Sequence, residues 1–215
     1  MDGTGASEVS TDEEPAPRDG RRIILDAAAR ILRRNGYKAT TLRDIAAAVG
    51  IKAGSIYYHF ASKDEIVAAV MNDGVERVQE TVTRALAGLP ATAGPAERLE
   101  AAIAAHLHAL LDHSDYTSAG LKAFTDAPEA VRTAARPVRK RYEAVWDAIV
   151  ADLASARLVP PEVPAETIAL AILGMMNWSP EWYRPERHAI DRLARDFAAI
   201  LLRGHVRPDA PCPAP

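Results

Sequence analysis

Between Thr40 and Phe60 the chain packs two short helical stretches around a glycine turn, and few folds accommodate that pattern. Thr41 precedes Leu42-Arg43-Asp44 as a helix cap, with Asp44 as a shorter form of the capping-box acid. Leu42, Ile45, Ala46 and Val49 recur at helical spacing, so one face of this segment is apolar. Ala46, Ala47 and Ala48 let a neighbouring helix come close. Gly50 permits a turn where a Cβ would clash, and Ile51 is expected to bury in the corner. A second short helix is expected over 53–60, with Ile56 and Phe60 four apart and facing the same core. Two short helices at a steep angle, joined by a tight turn, make a helix-turn-helix whose second helix lies in the major groove of DNA.

The face left free on that second helix carries Lys52, Ala53, Gly54, Ser55, Tyr57, Tyr58 and His59. Gly54 has no side chain to hold a DNA backbone away. Ser55, Tyr57, Tyr58 and His59 offer hydrogen-bonding groups to phosphates and base edges, and Lys52 and Lys63 flank them as cations. Phosphate contacts set register and salt-dependent affinity, and base contacts set sequence. The competing reading is a half-buried tyrosine pair, because an apolar ring with a polar tip suits that too. Charge is distributed accordingly. The net charge is −3, made of −5 over residues 1–17, +5 over residues 18–66 and −3 over the remainder. A basic segment in an acidic chain points to a local polyanion site, although a solvated face would carry the same charge.

The rest of the chain also reads as helical. Residues 1–17 have no helical period and a polar, acidic composition, as a disordered arm would. Residues 206–215 read as a flexible Pro-rich tail. Between them, helices are expected over 21–34, stopped by Gly36, and from the capping box Ser62-Lys63-Asp64-Glu65 to about residue 89. Others follow over 95–113, 115–125, 129–156 with a kink or break at Pro137, 164–183 and 186–204. No strand and no repeat emerges. The expected fold is all-α, with a helix-turn-helix domain over 18–63 and a helical effector-binding and dimerisation domain over 64–205. No apolar run approaches the roughly 20 residues that span a bilayer, and the N-terminus lacks a secretory pattern. A cytoplasmic protein without a membrane partner is expected. The single cysteine, Cys212, cannot form an intrachain disulfide or a zinc site.

Two surfaces of the rear domain draw attention. Ile168, Ile172 and Met175 form one apolar stripe, and Leu193, Phe197 and Ile200–Leu202 form another. They are either core within one subunit or half of a four-helix interface about a two-fold axis. The second surface is residues 174–185, GMMNWSPEWYRP. Trp178 and Trp182 share a face if the helix continues through Pro180. Met175, Met176 and Asn177 lie beside them, and Tyr142 and Trp146 would form an opposite wall. Arg184 is placed to hold an anionic head group, with Arg139, Lys140 and Arg141 near. Soft Met and flat Trp suit an adaptable cavity and suit plain core equally.

An enzyme is the contrasting class. His106, His108 and His113, with Asp112, lack the i, i+4 spacing by which histidines of one helix share a metal. Ser114 and Ser118 lack a base, and no nucleophile elbow, phosphate loop or dinucleotide fingerprint is present. Neither an enzyme, a metal site nor a cofactor is expected.

The run from Ile23 to Val67 strongly resembles the DNA-binding domain of the TetR family of regulators. The resemblance is carried by Asn35-Gly36-Tyr37, Thr40-Thr41, Ile45-Ala46, Val49-Gly50, Gly54-Ser55-Ile56-Tyr57-Tyr58-His59-Phe60 and Lys63-Asp64-Glu65-Ile66. It implies that Thr40 or Thr41, Tyr57, Tyr58, His59 and Lys63 contact double-stranded operator DNA. It also implies a homodimer on a pseudo-palindrome, released by a small-molecule effector. Arg18, Arg21 and Arg22 reach a phosphate or the minor groove, or are solvated charge. The pattern Asn177-Trp178 with Trp182-Tyr183 resembles TetR-type regulators of lipid, steroid and fatty-acid catabolism, several of which respond to an acyl-coenzyme A thioester. The alternative is a regulator of drug efflux, with Glu143, Asp147 or Glu181 receiving a cationic effector.

Overall fold

Helix α1, Gly20–Asn35, opens the part of the chain described by the computed structural model, which covers residues 20–112 and 115–203. The expected arm and tail, Arg18, Cys212, His113 and Ser114 lie outside the described residues. Helix α1 buries Ile24, Leu25, Ala27, Ala28, Ala29 and Leu32 on one face and ends where Gly36 turns to φ 73°. Helix α2, Leu42–Val49, starts with a complete capping box: the Thr41 hydroxyl accepts from the Asp44 N–H, and the Thr41 N–H donates to the Asp44 carboxylate. It stops at Gly50, also left-handed at φ 73°, a conformation that costs little without a Cβ. The next element is a 3-10 helix, η1, Ala53–Tyr58, and not an α-helix. Gly54 is a poor helix former, the segment has six residues, and Ile56 is its single buried anchor. Short stretches of this kind commonly settle into the tighter 3-10 winding.

Helix α3, Lys63–Ala87, follows the Ser62 cap, whose hydroxyl accepts from the Glu65 N–H at 3.1 Å. Then come α4, Pro95–Leu111; α5, Asp115–Asp126; α6, Glu129–Ser155; α7, Ala165–Asn177; α8, Ser179–Trp182; and α9, Ile190–Arg203. No strand occurs among the described residues, so the fold is all-α as expected. Two details differ from the sequence reading, the end of α7 and the start of α9. Helix α6 continues through Pro137 without a break. Buried Ala135 and Val138 on either side of the proline hold both halves against neighbouring helices. Helix α7 ends at Asn177, not near Tyr183, because Pro180 cannot donate inside a helix and instead sits in the first turn of α8. Helix α9 begins at Ile190, after turns over 185–187.

Two apolar clusters hold these elements. One joins α4, α6, α7, α9 and the second half of α3 around Trp146, Leu99, Ile103, Leu107 and Ile172. The other contains α1, α2, η1 and the start of α3, and it does not end there. Tyr116, Ala119 and Ala123 of α5, with Ala127, Val131 and Ala135, belong to the same core as Ile24, Ile45, Ile56 and Phe60. Helix α5 is also fastened to α1 by polar contacts. The Tyr116 hydroxyl donates to Asp26 at 2.6 Å, Arg33 pairs with Asp115 at 3.0 Å, and Lys122 donates to the carbonyls of Arg33 and Arg34. Arg22 pairs with Asp26 and with Asp73 of α3. Burial, with Asp26 beside it, raises the Tyr116 phenol well above its ordinary value and keeps it a donor.

Glycine makes the crossing of α3 and α5 close. A Cβ on Gly74 would lie 2.8 Å from the Tyr116 carbonyl oxygen, and one on Gly120 would lie 3.6 Å from the Met71 Cα. Gly74→Ala therefore pushes two backbones apart, and we expect a loss of about 1–3 kcal/mol in urea unfolding; Gly120→Ala should cost much less. At the far end His108 bridges Asp112 of its own segment and Asp191 of α9, at 2.7 and 2.9 Å. Hydrogen bonds to those two carboxylates raise its pKa above the ordinary imidazole value. The bridge stabilises the fold fully below the unfolded value of about 6.5 and fades as pH climbs through the raised folded value. Thermal unfolding of His108→Gln should therefore fall furthest below wild type at about pH 5.5 and converge with it as pH rises through the raised folded value.

Candidate nucleic-acid interface and buried ligand cluster

The turn between α1 and α2 is braced from below. Thr40 is buried, and its hydroxyl donates to the Gly36 carbonyl at 2.7 Å. The Tyr37 hydroxyl donates to Asp64 at 2.6 Å; burial first, then Asp64, pushes the phenol up to about 12. The Lys63 ammonium donates to the carbonyls of Tyr37 and Thr40 and lies 3.9 Å from the Tyr37 ring centroid. Lys63 thus ties the start of α3 to the loop before α2. The expectation that the Thr40 side chain faces DNA is corrected, because its hydroxyl is consumed in ending α1. Thr41 does face solvent, with its hydroxyl shared with Asp44.

On this brace η1 is anchored by fully buried Ile56, with Phe60 buried beyond it under the Arg21 guanidinium. Ala53 packs partly against the same core, and the two tyrosines are turned to solvent. Tyr57 is 61% and Tyr58 89% exposed, which removes the half-buried pair as a reading. Lys52, Gly54 and His59 are exposed and Ser55 half-buried. The His59 ring lies against Gly20, where an added Cβ would come within 3.0 Å of Nε2. Ile51 is 37% exposed, not buried in the corner, because the chain leaves the left-handed Gly50 outward. A concavity of about 580 Å³ lies between the α2 and η1 termini, lined by Lys38, Thr41, Arg43, Gly54, Tyr57 and Lys63 among others. Lys38 and Arg43 were not singled out from sequence. Their positive charge within three residues of Thr41 was the available signal.

The rear-domain candidates separate into three groups. Tyr142, Trp146 and Met176 are buried together in the core. His106, fully buried on α4, completes their polar centre: Nδ1 meets the Tyr142 hydroxyl at 2.7 Å and Nε2 meets Asn177 Oδ1 at 3.2 Å. Burial pushes His106 down to about 4, the Asn177 bond opposing, so it is neutral. With the Nε2 proton donated to Asn177, Nδ1 accepts from Tyr142. The Trp146 ring meets both the Tyr142 and His106 rings edge-on, and its buried Nε1–H makes no well-formed hydrogen bond, with the Tyr142 hydroxyl as its weak acceptor. The sequence carried no signal for this role of His106, since its partners lie 36 and 71 residues away.

Trp182 packs instead on Phe197 and His188, and Met175 is half-buried. Trp178 is 66% exposed, so the break at Asn177 sends the two tryptophans to different surroundings. Arg184 is exposed and donates to the Tyr183 carbonyl, away from the buried centre. The apolar stripes also divide. Ile168, Ile172, Leu193 and Phe197 are core within this chain, whereas Leu170, Trp178 and Ile200 face outward. Glu143 is paired with Arg139, and Asp147 and Glu181 are exposed. No carboxylate is buried among the described residues. No group of three metal-binding side chains occurs there either, and no helix among them is long and apolar enough to cross a membrane.

Comparison with known proteins agrees with this geometry. Residues 24–70 match the model of bacterial regulatory proteins of the tetR family, and residues 92–205 match the tetracyclin repressor-like C-terminal domain. The HTH-type transcriptional repressor KstR2 of Mycolicibacterium smegmatis is 31% identical over 202 residues, covering 90% of this chain and 93% of that protein. Among solved structures, AibR in complex with isovaleryl coenzyme A and operator DNA is 25% identical with a TM-score of 0.74, covering 85% of this chain and 97% of that one. PfmR, a TetR family regulator from Thermus thermophilus, is 27% identical with a TM-score of 0.72, covering 89% of this chain and 100% of that one. A reading helix held outward over a braced turn, in front of a helical rear domain, places this chain in the TetR family of transcriptional regulators.

Proposed function

We propose that this regulator is a cytoplasmic repressor that holds a pseudo-palindromic operator as a homodimer and releases it on binding an acyl-coenzyme A thioester. The observation that carries the DNA reading is the exposure of Tyr57 and Tyr58 on a short helix whose opposite side is locked by Ile56 and Phe60. Two aromatic rings kept in water, rimmed by Lys52, Thr41 and the concavity cations Lys38 and Arg43, present groups suited to phosphates and base edges. Lys63 acts here by positioning the loop, with one proton left for a phosphate. Leu170, Trp178 and Ile200 supply the apolar outer face of α7 and α9 for a two-fold partner.

The effector reading rests on buried His106, Tyr142 and Trp146, which exposed Asn177 joins to the surface. A buried N–H without a well-formed hydrogen bond costs about 1–3 kcal/mol; that of Trp146 is held only weakly by the Tyr142 hydroxyl, and a ligand carbonyl or hydroxyl reaching it recovers the cost. The absence of a buried carboxylate among the described residues disfavours a cationic effector. AibR was solved in complex with isovaleryl coenzyme A. Ligand acts only through its different affinity for two states of the dimer. In one state the reading heads sit about 34–36 Å apart, one helical turn of DNA. Helix α5, shared between ligand domain and reading head, and α3, continuous through both, carry the difference.

Fluorescence anisotropy of a labelled operator fragment tests this reading. Salt-dependent binding of the dimer, reversed by thioesters, is expected; no shift with any promoter fragment, or release by cationic dyes alone, overturns it. Tyr57→Ala should weaken operator binding by about tenfold or more while leaving thermal stability within about 0.5 kcal/mol, as expected of an exposed residue. Trp146→Phe should keep operator affinity without effector and raise the thioester concentration for half-release by about tenfold, the worth of one hydrogen bond.

A further inference from the structure

The outer side of α6 carries a feature that the buried centre does not use. Arg132, Arg136, Arg139 and Lys140 follow one another at i, i+4, i+7 and i+8, so they share one face of the helix. With Glu129, Glu143 and Phe124 they line a groove of about 330 Å³. That volume lies at the lower end of the range of small-molecule sites, about 300–1,000 Å³. The cations outnumber the acids in the lining, and the acids are unevenly shared. Glu129 holds Arg132 closely and Arg136 loosely, at 3.7 Å. Glu143 is 3.9 Å from Arg139. Among the described residues Lys140 makes no ion pair. Arg136 and Lys140 are therefore the charges left for an incoming anion, one helical turn apart.

The groove has an aromatic floor as well. The Arg139 guanidinium lies 4.3 Å from the Phe124 ring centroid. This flat stacked pair is a platform for a planar base, with cations beside it for phosphates. A ligand that needs both is a nucleotide. The groove also shares a stretch of helix with the buried centre: Arg139, Lys140 and Glu143 face out, and Tyr142 and Trp146 face in.

We infer that the groove of Phe124, Arg132, Arg136, Arg139 and Lys140 binds the phosphate-bearing adenosine end of the effector, while the buried centre receives its acyl end. The adenine stacks on the Phe124–Arg139 pair, and Arg136 and Lys140 take the phosphates. This assignment rests on the thioester reading for the identity of its ligand, but it is tested without an acyl chain. The probes are coenzyme A and adenosine 3′,5′-bisphosphate, titrated calorimetrically into the full chain.

Both probes should bind wild type, more weakly as salt rises. The exposed double variant Arg136→Gln with Lys140→Gln should lose at least about tenfold in affinity for each probe, the worth of one charge-assisted contact. It should keep wild-type operator affinity when no effector is present. Failure of wild type to bind either probe overturns the assignment, as does wild-type affinity in the double variant. Loss of operator affinity without effector also overturns it and marks the groove as a DNA contact. If thioesters release the operator equally from both proteins, the proposed function stands and this site falls. If both probes bind through Arg136 and Lys140 but no thioester releases the operator, the nucleotide site stands and the proposed effector falls.

Discussion

Everything that this molecule does with its reading head depends on how α5 is held. Helix α5 belongs by sequence to the rear of the chain, yet its buried residues complete the core of α1, α2 and η1. Its backbone approaches α3 so closely at Gly74 that no side chain fits between them. Tyr116, Asp115 and Lys122 then bind it to α1 through a hydroxyl, an ion pair and two helix-end carbonyls. A shift of α5 cannot leave the reading helix where it was, because packed interfaces of this kind slide as bodies and do not stretch.

That constraint ties the rear domain to the reading head. Its polar centre is small and buried except at Asn177. A neutral histidine accepts from one side and donates to the other, and the tryptophan beside it makes no well-formed hydrogen bond. Such a centre is costly in a core that is otherwise aliphatic and aromatic. It lies between α4, α6 and α7, and α6 also reaches forward through Val131 and Ala135 into the reading head's core. The centre and the head thus share helix α6, and α5 completes the core of the head.

Most of the helix-turn-helix was legible because its signals are local. Caps at Thr41 and Ser62, glycine at 36 and 50, and the four-residue spacing of Ile56 and Phe60 each act within a few residues, and the structure places all of them as read. What misled was also local. Thr40 and Thr41 are equivalent in sequence, and only the end of α1 decides which hydroxyl is used up. The rear domain was legible as helices and much less as a site. Trp178 and Trp182 fall four apart, but Pro180 breaks the helix between them, so spacing no longer implies a shared face.

The sequence by itself determined the all-α class, the positions of the caps and turns, and the face of η1 that stays free. These follow from backbone preferences and apolar periodicity, which operate over one or two turns of helix. Tertiary structure decided that α5 serves the reading head, that His106 meets Tyr142 and Asn177, and that Ile168, Ile172, Leu193 and Phe197 are core while Leu170, Trp178 and Ile200 are surface. Each of these joins residues many turns apart on different helices. Their pairing depends on how the helices cross, set by close approaches such as Gly74 against Tyr116, and no periodicity along one helix encodes it.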